Sequence, residues 1–293
     1  MLALEPRPGG RTLQHLRAAL QRLGYVEGKN LVIDERWASG DLERLDEQAR
    51  DLVSLAPDVL VPVTNYEIAA LRRVAHGIPV VMYFAAMPLE LGFIQSYARP
   101  GGNTTGTAYH SPETAGKIVD LLREAMPQVT RTALLWNPEF PAMRLYGGEV
   151  DRVAAKVGMA IEYYEATTPQ AISGAIDRIG KSRAQALYVA YDSIIGCRLE
   201  QITAFAAERR MVSFGSSPWF ALQGGCLAYG PDLADVSERT ASHIDRILRG
   251  AKAGELPVER PRKMQLVVNL KTARAIGYRP PPTLLSRADV VLE

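Results

Sequence analysis

Two stretches of this 293-residue chain carry the same rhythm of short apolar strands and amphipathic helices, and that repetition limits the fold more than any other feature. Leu13, Leu16, Leu20 and Leu23 recur at helical spacing and stop at Gly24, a residue suited to the left-handed position past a helix end. The pattern then predicts a strand at 31–37, a helix at 41–55, a strand at 58–63, a helix from Thr64 or Asn65 to 75, and a strand at 79–83. From Thr132 the rhythm returns as strand 132–136, helix 146–156, strand 159–164, helix 171–179, strand 185–190, helix 199–207 and strand 211–214. Strands alternating with helices across short loops make parallel sheets covered on both faces. Two such halves predict an α/β protein of two lobes, each a doubly wound parallel sheet. Length agrees, since 293 residues exceed what one core usually serves.

Between the halves, residues 99–106 are rich in turn formers and read as a hinge crossing. Beyond the second half come a strand at 224–229, a helix at 231–249 with Val236, Thr240, Ile244 and Ile247 on one side, and a strand at 266–269. Asn269 is placed to cap a helix ending at Gly277, and Pro280 to Pro282 stop further helix. A tail of this size is expected to recross between lobes. At the other end, the first long helix starts near Arg11 with little ahead of it. Leu2 to Glu5 reads as the end of a strand whose beginning is absent, which predicts a shortened central strand in the first lobe.

Several function classes are excluded by what the sequence lacks. With 34 basic and 32 acidic side chains the net charge is +2, too even for a broad nucleic-acid or membrane footprint. His15, His76, His110 and His243 are scattered, and no HExxH spacing supports a metal site. Phe214-Gly-Ser-Ser-Pro218 lacks the second glycine of a nucleophile elbow, and neither a P-loop nor a dinucleotide fingerprint is present, so no cofactor is expected. One enzyme reading is a two-lobed racemase using Cys197 and Cys226 as acid and base, although both cysteines sit in apolar runs that suit packing. The start, MLALEPRPGG, shows no secretory signal, and no apolar run approaches the roughly 20 residues that span a bilayer.

In open parallel sheets, ligands collect at the carboxyl ends of the strands, where helix N-termini also converge. That edge is expected to hold residues 5–10, 64–66 and 84–87 in the first lobe, and 137–140, 191–193 and 215–219 in the second. Asp192, Asn65 and Ser216 are the candidates to orient a small polar solute, with Tyr66, Phe84 and Trp219 as walls. Ala85, Asn137 and Tyr229 lie at the same strand ends and complete the candidate set. Asp192 reads equally as a helix cap, and so do Thr64 and Asn65. Tyr83, Trp136 and Tyr191 read as core.

Certain stretches resemble a known family. Leu23-Gly-Tyr-Val-Glu-Gly-Lys-Asn30, Ile33-Asp-Glu-Arg-Trp-Ala-Ser-Gly40, Ala98-Arg-Pro-Gly-Gly-Asn-Thr-Thr-Gly106, Tyr229-Gly-Pro-Asp-Leu-Ala-Asp235, Val267-Val-Asn-Leu-Lys-Thr-Ala273 and Pro282-Thr-Leu-Leu-Ser-Arg-Ala-Asp289 occur in the family's order. They are similar to segments of substrate-binding components of ABC transporters of the tryptophan/tyrosine type. The resemblance implies a type I periplasmic-binding fold with three crossovers. One lobe would comprise residues 1–107 and 232–262, the other 108–231 and 263–293. It further implies a monomer that closes on a small ligand such as an amino acid and hands it to a membrane permease, in the periplasm or at the outer face of the membrane. Without a signal in the chain, the cytoplasm follows if the start is genuine, and a ligand-sensing module of the same fold is the rival reading. Where the family usually carries a GDP-like segment, this chain has Ala85-Ala-Met-Pro88 and so one carboxylate fewer.

Overall fold

The computed structural model describes residues 1–4, 11–109, 112–140 and 143–293. The chain divides into two compact units, Met1–His110 with Asp232–Lys263, and Ser111–Pro231 with Met264–Glu293, so it passes between them three times.

The first unit is a parallel sheet between helices. Its opening elements are β1 (Leu2–Ala3), α1 (Arg11–Arg22), β2 (Arg36–Trp37), α2 (Leu42–Ser54), α3 (Asn65–Arg72), β3 (Val80–Ala85) and β4 (Thr104–Ala108). β1 pairs with β2 on one side and bridges to Pro62 on the other, while Leu60 bridges to Val80, so residues 60–62 join the two strand pairs into one sheet. β1 falls within the strand expected at Leu2 to Glu5. Regular strand along 31–37 is confined to its last two residues, and 58–63 contributes isolated bridges. Both apolar runs nevertheless occupy strand positions, because their side chains belong to one core with Leu13, Leu16 and Leu20 of α1.

Residues 99–106 do not form a crossing. Asn103 Nδ2 donates to the carbonyls of Ala75 and Ile78, Gly101 N–H donates to Gly254 O at 3.0 Å, and the chain runs straight into β4. Gly106 sits at φ +128° against the backbone of Met82, where any Cβ would overlap it. This turn therefore sets the register of an internal strand, and the crossing comes after β4.

The second unit contains α4 (Pro112–Ala125), β5 (Arg131–Trp136), α5 (Met143–Lys156), β6 (Ala160–Glu165), α6 (Ala171–Gly180), β7 (Ala186–Val189), α7 (Ser193–Gly196), α8 (Leu199–Glu208), β8 (Val212–Gly215), α9 (Pro218–Leu222) and β9 (Leu227–Pro231). Helix α10 (Leu233–Leu248) then belongs to the first unit, before β10 (Met264–Asn269), α11 (Leu270–Ala275), α12 (Pro282–Ser286) and β11 (Val290–Leu292) return to the second. Its sheet runs β11-β10-β9-β8-β7-β5-β6. All neighbours are parallel except β9 and β10. The exception has a topological cause: Pro231 faces Met264 and Asp232 N–H donates to Lys263 O, so the chain leaves and re-enters the sheet at one point and must run back. Ala133, Leu135, Leu187, Val189 and Ala228 on one face of this sheet pack against Ile172, Ile176, Ile179 and Ile202 of α6 and α8. Burial of that sort stabilises by about 1.5–3 kcal/mol for each fully covered aliphatic side chain.

Candidate ligand-binding site

At the carboxyl ends of the first unit's strands, two side chains stitch three segments together. Asn65 opens α3 and is 3% exposed. Its amide exchanges two hydrogen bonds with Ala86, Nδ2 to the carbonyl at 2.9 Å and the Ala86 N–H to Oδ1 at 2.8 Å, which fixes the loop after β3. Glu67, fully buried one turn into α3, accepts from Thr64 N–H at 2.7 Å, Thr64 Oγ1 at 2.6 Å and Leu4 N–H at 2.5 Å. Burial pushes the Glu67 carboxyl above its ordinary range, against the opposing effect of these donors. Glu67 was absent from the sequence-derived candidates. Its signal was there in Thr64-x-x-Glu67, the spacing of a capping box.

Aromatic rings gather beside this frame. Phe84 is half-buried, edge-on to Tyr83 at 4.9 Å and to Tyr109 at 6.0 Å between centroids. Tyr83 is core as expected, its hydroxyl against Ser237. Tyr66 is half-buried on the first turn of α3. Ala85 has no exposed surface, and its carbonyl accepts from Tyr109 N–H at 2.7 Å. Tyr109 follows β4 directly, and the turn formers of 99–106 give no sign in the sequence that a strand ends there. The segment 5–10, expected at this edge, lies outside the described residues.

The second unit's edge is built around a carboxylate. Asp192 follows β7 and is 3% exposed. Its Oδ1 accepts from Ile195 N–H at 2.7 Å, capping α7, and its Oδ2 accepts from Asn137 Nδ2 at 2.8 Å. Asn137, just past β5, receives Glu139 N–H on its own oxygen at 3.1 Å. Capping and side-chain pairing thus occur in one residue, because the strand ends of β5 and β7 are adjacent. Ser216, buried after β8, accepts from Tyr191 N–H at 2.8 Å. Tyr146 and Tyr188 share a short hydroxyl contact, and Tyr146 also bonds Ser216, while burial raises the Tyr146 hydroxyl well above its ordinary range.

Trp219 is half-buried on α9 and packs against the core that contains Phe220 and Val189. Tyr229, near the end of β9, is half-buried on the face opposite Ala228, and burial raises its hydroxyl as well. Gly230 beside it is obligatory: a Cβ there would lie 2.7 Å from Pro218 Cδ and 2.9 Å from Ser216 O. The turn carrying Ser216 and Trp219 therefore seats directly on the end of β9. Both cysteines fall in this unit. Cys226 is buried with its thiol pushed up to about 12, and Cys197 donates to Ser193 O. Among the described residues no cluster of histidine, cysteine, aspartate and glutamate is grouped to hold a metal, and no helix is long and apolar enough to cross a membrane.

Parallel α/β sheets with polar carboxyl edges, joined by three chain passages, define the type I periplasmic-binding class. A family model described as ABC transporter substrate binding protein matches residues 10–292, and the chain belongs to that family. The tyrosine-binding protein of Clostridioides difficile strain R20291 is 22% identical over 261 residues, 89% of this chain and 75% of the relative. A conserved domain protein of Vibrio cholerae O1 biovar El Tor superposes with a TM-score of 0.90 at 26% identity, covering 99% of this chain and 97% of that one. An ABC domain from Streptococcus pneumoniae, solved in complex with L-Trp, gives a TM-score of 0.90 at 22% identity over 99% and 98% of the two chains. The role of the family is substrate binding rather than catalysis.

Proposed function

We propose that this chain captures a compact amino acid or similar carboxylate solute between the carboxyl edges of its two units, which close on it, and delivers it to an ABC permease. The observation that carries this reading is Asp192, a carboxylate sealed at a strand end and paired to Asn137. A buried carboxylate costs free energy and is retained where it has work to do. Recognition of a ligand ammonium is such work. Asn65 and Ser216 hold loops through bonds already described, so their role is to shape the site, while Tyr66, Phe84, Tyr109 and Trp219 supply its walls. Support comes also from the family and from two similar proteins, one a tyrosine-binding protein and the other solved in complex with L-Trp. Export to the cell exterior and action as a monomer belong to the same reading.

The experiment is a calorimetric titration with the twenty amino acids and their amine-free and carboxylate-free analogues. The expected result is saturable binding of at least one amino acid, lost on removing its amine or on Asp192→Ala. Binding unaffected by Asp192→Ala would remove this residue from the site, and no binding by any of the compounds would overturn capture of an amino acid.

A further inference from the structure

The even overall charge conceals an uneven local one. In the second unit β8, β7, β5 and β6 are parallel neighbours in that order, so the turns leading into them share one edge of the sheet, opposite to the edge that holds Asp192. Three bonds tie these turns together. Gln185 Oε1 accepts from Arg131 N–H at 3.1 Å, Ala160 N–H donates to Thr130 O at 2.7 Å, and Arg209 Nη1 donates to Gly180 O at 3.3 Å. Along this edge stand Arg209 and Arg210 before β8, Lys181 and Arg183 before β7, Arg131 at the start of β5 and Lys156 before β6, all exposed. The row spans three strand spacings, about 14 Å.

Most acidic groups near this edge are already paired. Glu162 is held by Arg131, Glu124 by Arg287 and Glu149 by Arg152, which leaves Asp177 and Glu208 in the last turns of α6 and α8. Arg178 turns back to Glu165 O, and Arg123 is spent on the carbonyls of Pro127, Val129 and Val157, so neither joins the row. Among the described residues no carboxylate pairs with Lys156, Lys181, Arg183, Arg209 or Arg210.

Arg210 supplies a second observation. It is the second residue past α8 and has φ +52°, a left-handed backbone that costs a side chain free energy. At the same place after α1, α5, α10 and α11 the chain has Gly24, Gly158, Gly250 and Gly277, and after α2 the small Ala56. Helix polarity favours a cation in a last helical turn, which accounts for Lys156. It does not call for an arginine in a left-handed turn, and strain of this kind is retained where the side chain has a function.

We propose that Lys156, Lys181, Arg183, Arg209 and Arg210 dock this edge of the second unit on an anionic lipid surface. Turns 157–159, 180–185 and 209–211 expose no large apolar side chain, and the ring beside them, Phe205, lies under the Arg209 guanidinium, 5.9 Å from the ring centroid. An acidic protein would need an apolar anchor here, and a single-stranded nucleic acid would need rings to stack on. Lipid headgroups rearrange to meet dispersed cations and need neither. No residue assigned to solute capture takes part, so this inference and the transport reading fail independently.

The test is cosedimentation of the full chain with vesicles of phosphatidylglycerol or of phosphatidylcholine. The expected result is binding to the first alone, lost in about 0.5 M salt. The variant Lys181→Glu/Arg183→Glu/Arg210→Glu, changed only at exposed side chains, should bind at least about tenfold more weakly. Arg210→Gly relieves the left-handed backbone, so it should raise the urea midpoint and yet weaken vesicle binding roughly fivefold, a split that a packing role would not give. Equal binding to both vesicles, or undiminished binding by either variant, would overturn the proposal. Capture of soluble polyglutamate or single-stranded DNA without vesicle binding would also overturn it, in favour of a macromolecular partner.

Discussion

Asn137 donates through Nδ2 to Asp192 Oδ2 at 2.8 Å, and both side chains are all but sealed from water. The bond joins the ends of neighbouring strands β5 and β7, so replacing either residue takes one buried hydrogen bond from the other. Asp192→Ala also removes the cap of α7. It is expected to lower stability by about 2 kcal/mol in urea denaturation with an unchanged m-value. Asn137→Asp places two carboxylates at this contact and should destabilise most at neutral pH, with recovery on acidification as one of them takes up a proton.

Glu67 predicts a pH dependence of the less common sign. Its carboxyl is raised in the folded state by burial, so the native protein holds that proton more tightly than the unfolded chain. The stability it contributes is full below the ordinary value of 4.5 and is lost as pH rises through the folded value. Glu67→Gln should flatten that part of the stability profile. Glu67→Ala, which deprives Leu4 and Thr64 of their acceptor, should cost on the order of 3 kcal/mol at all pH values. Chemical denaturation across the acid range reads both.

Asp235 predicts the opposite slope. Burial works upward on its carboxyl, but Arg239 and the N–H groups of Arg262 and Lys263 outweigh it and hold the group below its ordinary range. Its contribution is therefore present above the unfolded value, about 3.9, and lost as pH falls through the folded one. Arg239, 8% exposed, is also paired to Glu259. Arg239→Ala leaves two carboxylates without their cation and should destabilise by about 3 kcal/mol, whereas Arg239→Met should cost less.

Thiol labelling separates the two cysteines. Cys226, buried with its thiol near 12, should resist iodoacetamide at pH 8 until the protein unfolds, while partly exposed Cys197 reacts slowly in the native state. Replacing both with alanine is expected to leave solute affinity unchanged. Equally fast alkylation of both thiols in folded protein would contradict the packing described for Cys226.

Much of the fold was legible because buried parallel strands read as apolar runs and helices declare their caps. Runs such as 131–136 and 186–189 fell where expected, and Asn269 caps its helix through Thr272 N–H. β4 was hidden because Thr104-Thr-Gly-Thr107 has neither an apolar run nor alternation, and its burial is dictated by neighbours distant in sequence. β10 was legible as a strand at 266–269 but its antiparallel direction was not, since direction follows from where a long excursion returns rather than from composition. At the ligand edge, local sequence pointed to helix starts such as Asn65 and Asp192. It was silent on the pairing of Asn137 with Asp192, which depends on two strands lying side by side.

The excursion from Asp232 to Lys263 also bears on how the molecule is made. Tyr25 bonds Asp245 across 220 residues, and the α1 face that carries Leu16 and Leu20 is covered by Ile244 and Ile247. During synthesis the first unit must therefore wait, with part of its apolar surface uncovered, until most of the second has left the ribosome. Neither unit can be excised as a contiguous fragment, and a chain stopped before residue 232 would be an aggregation-prone intermediate.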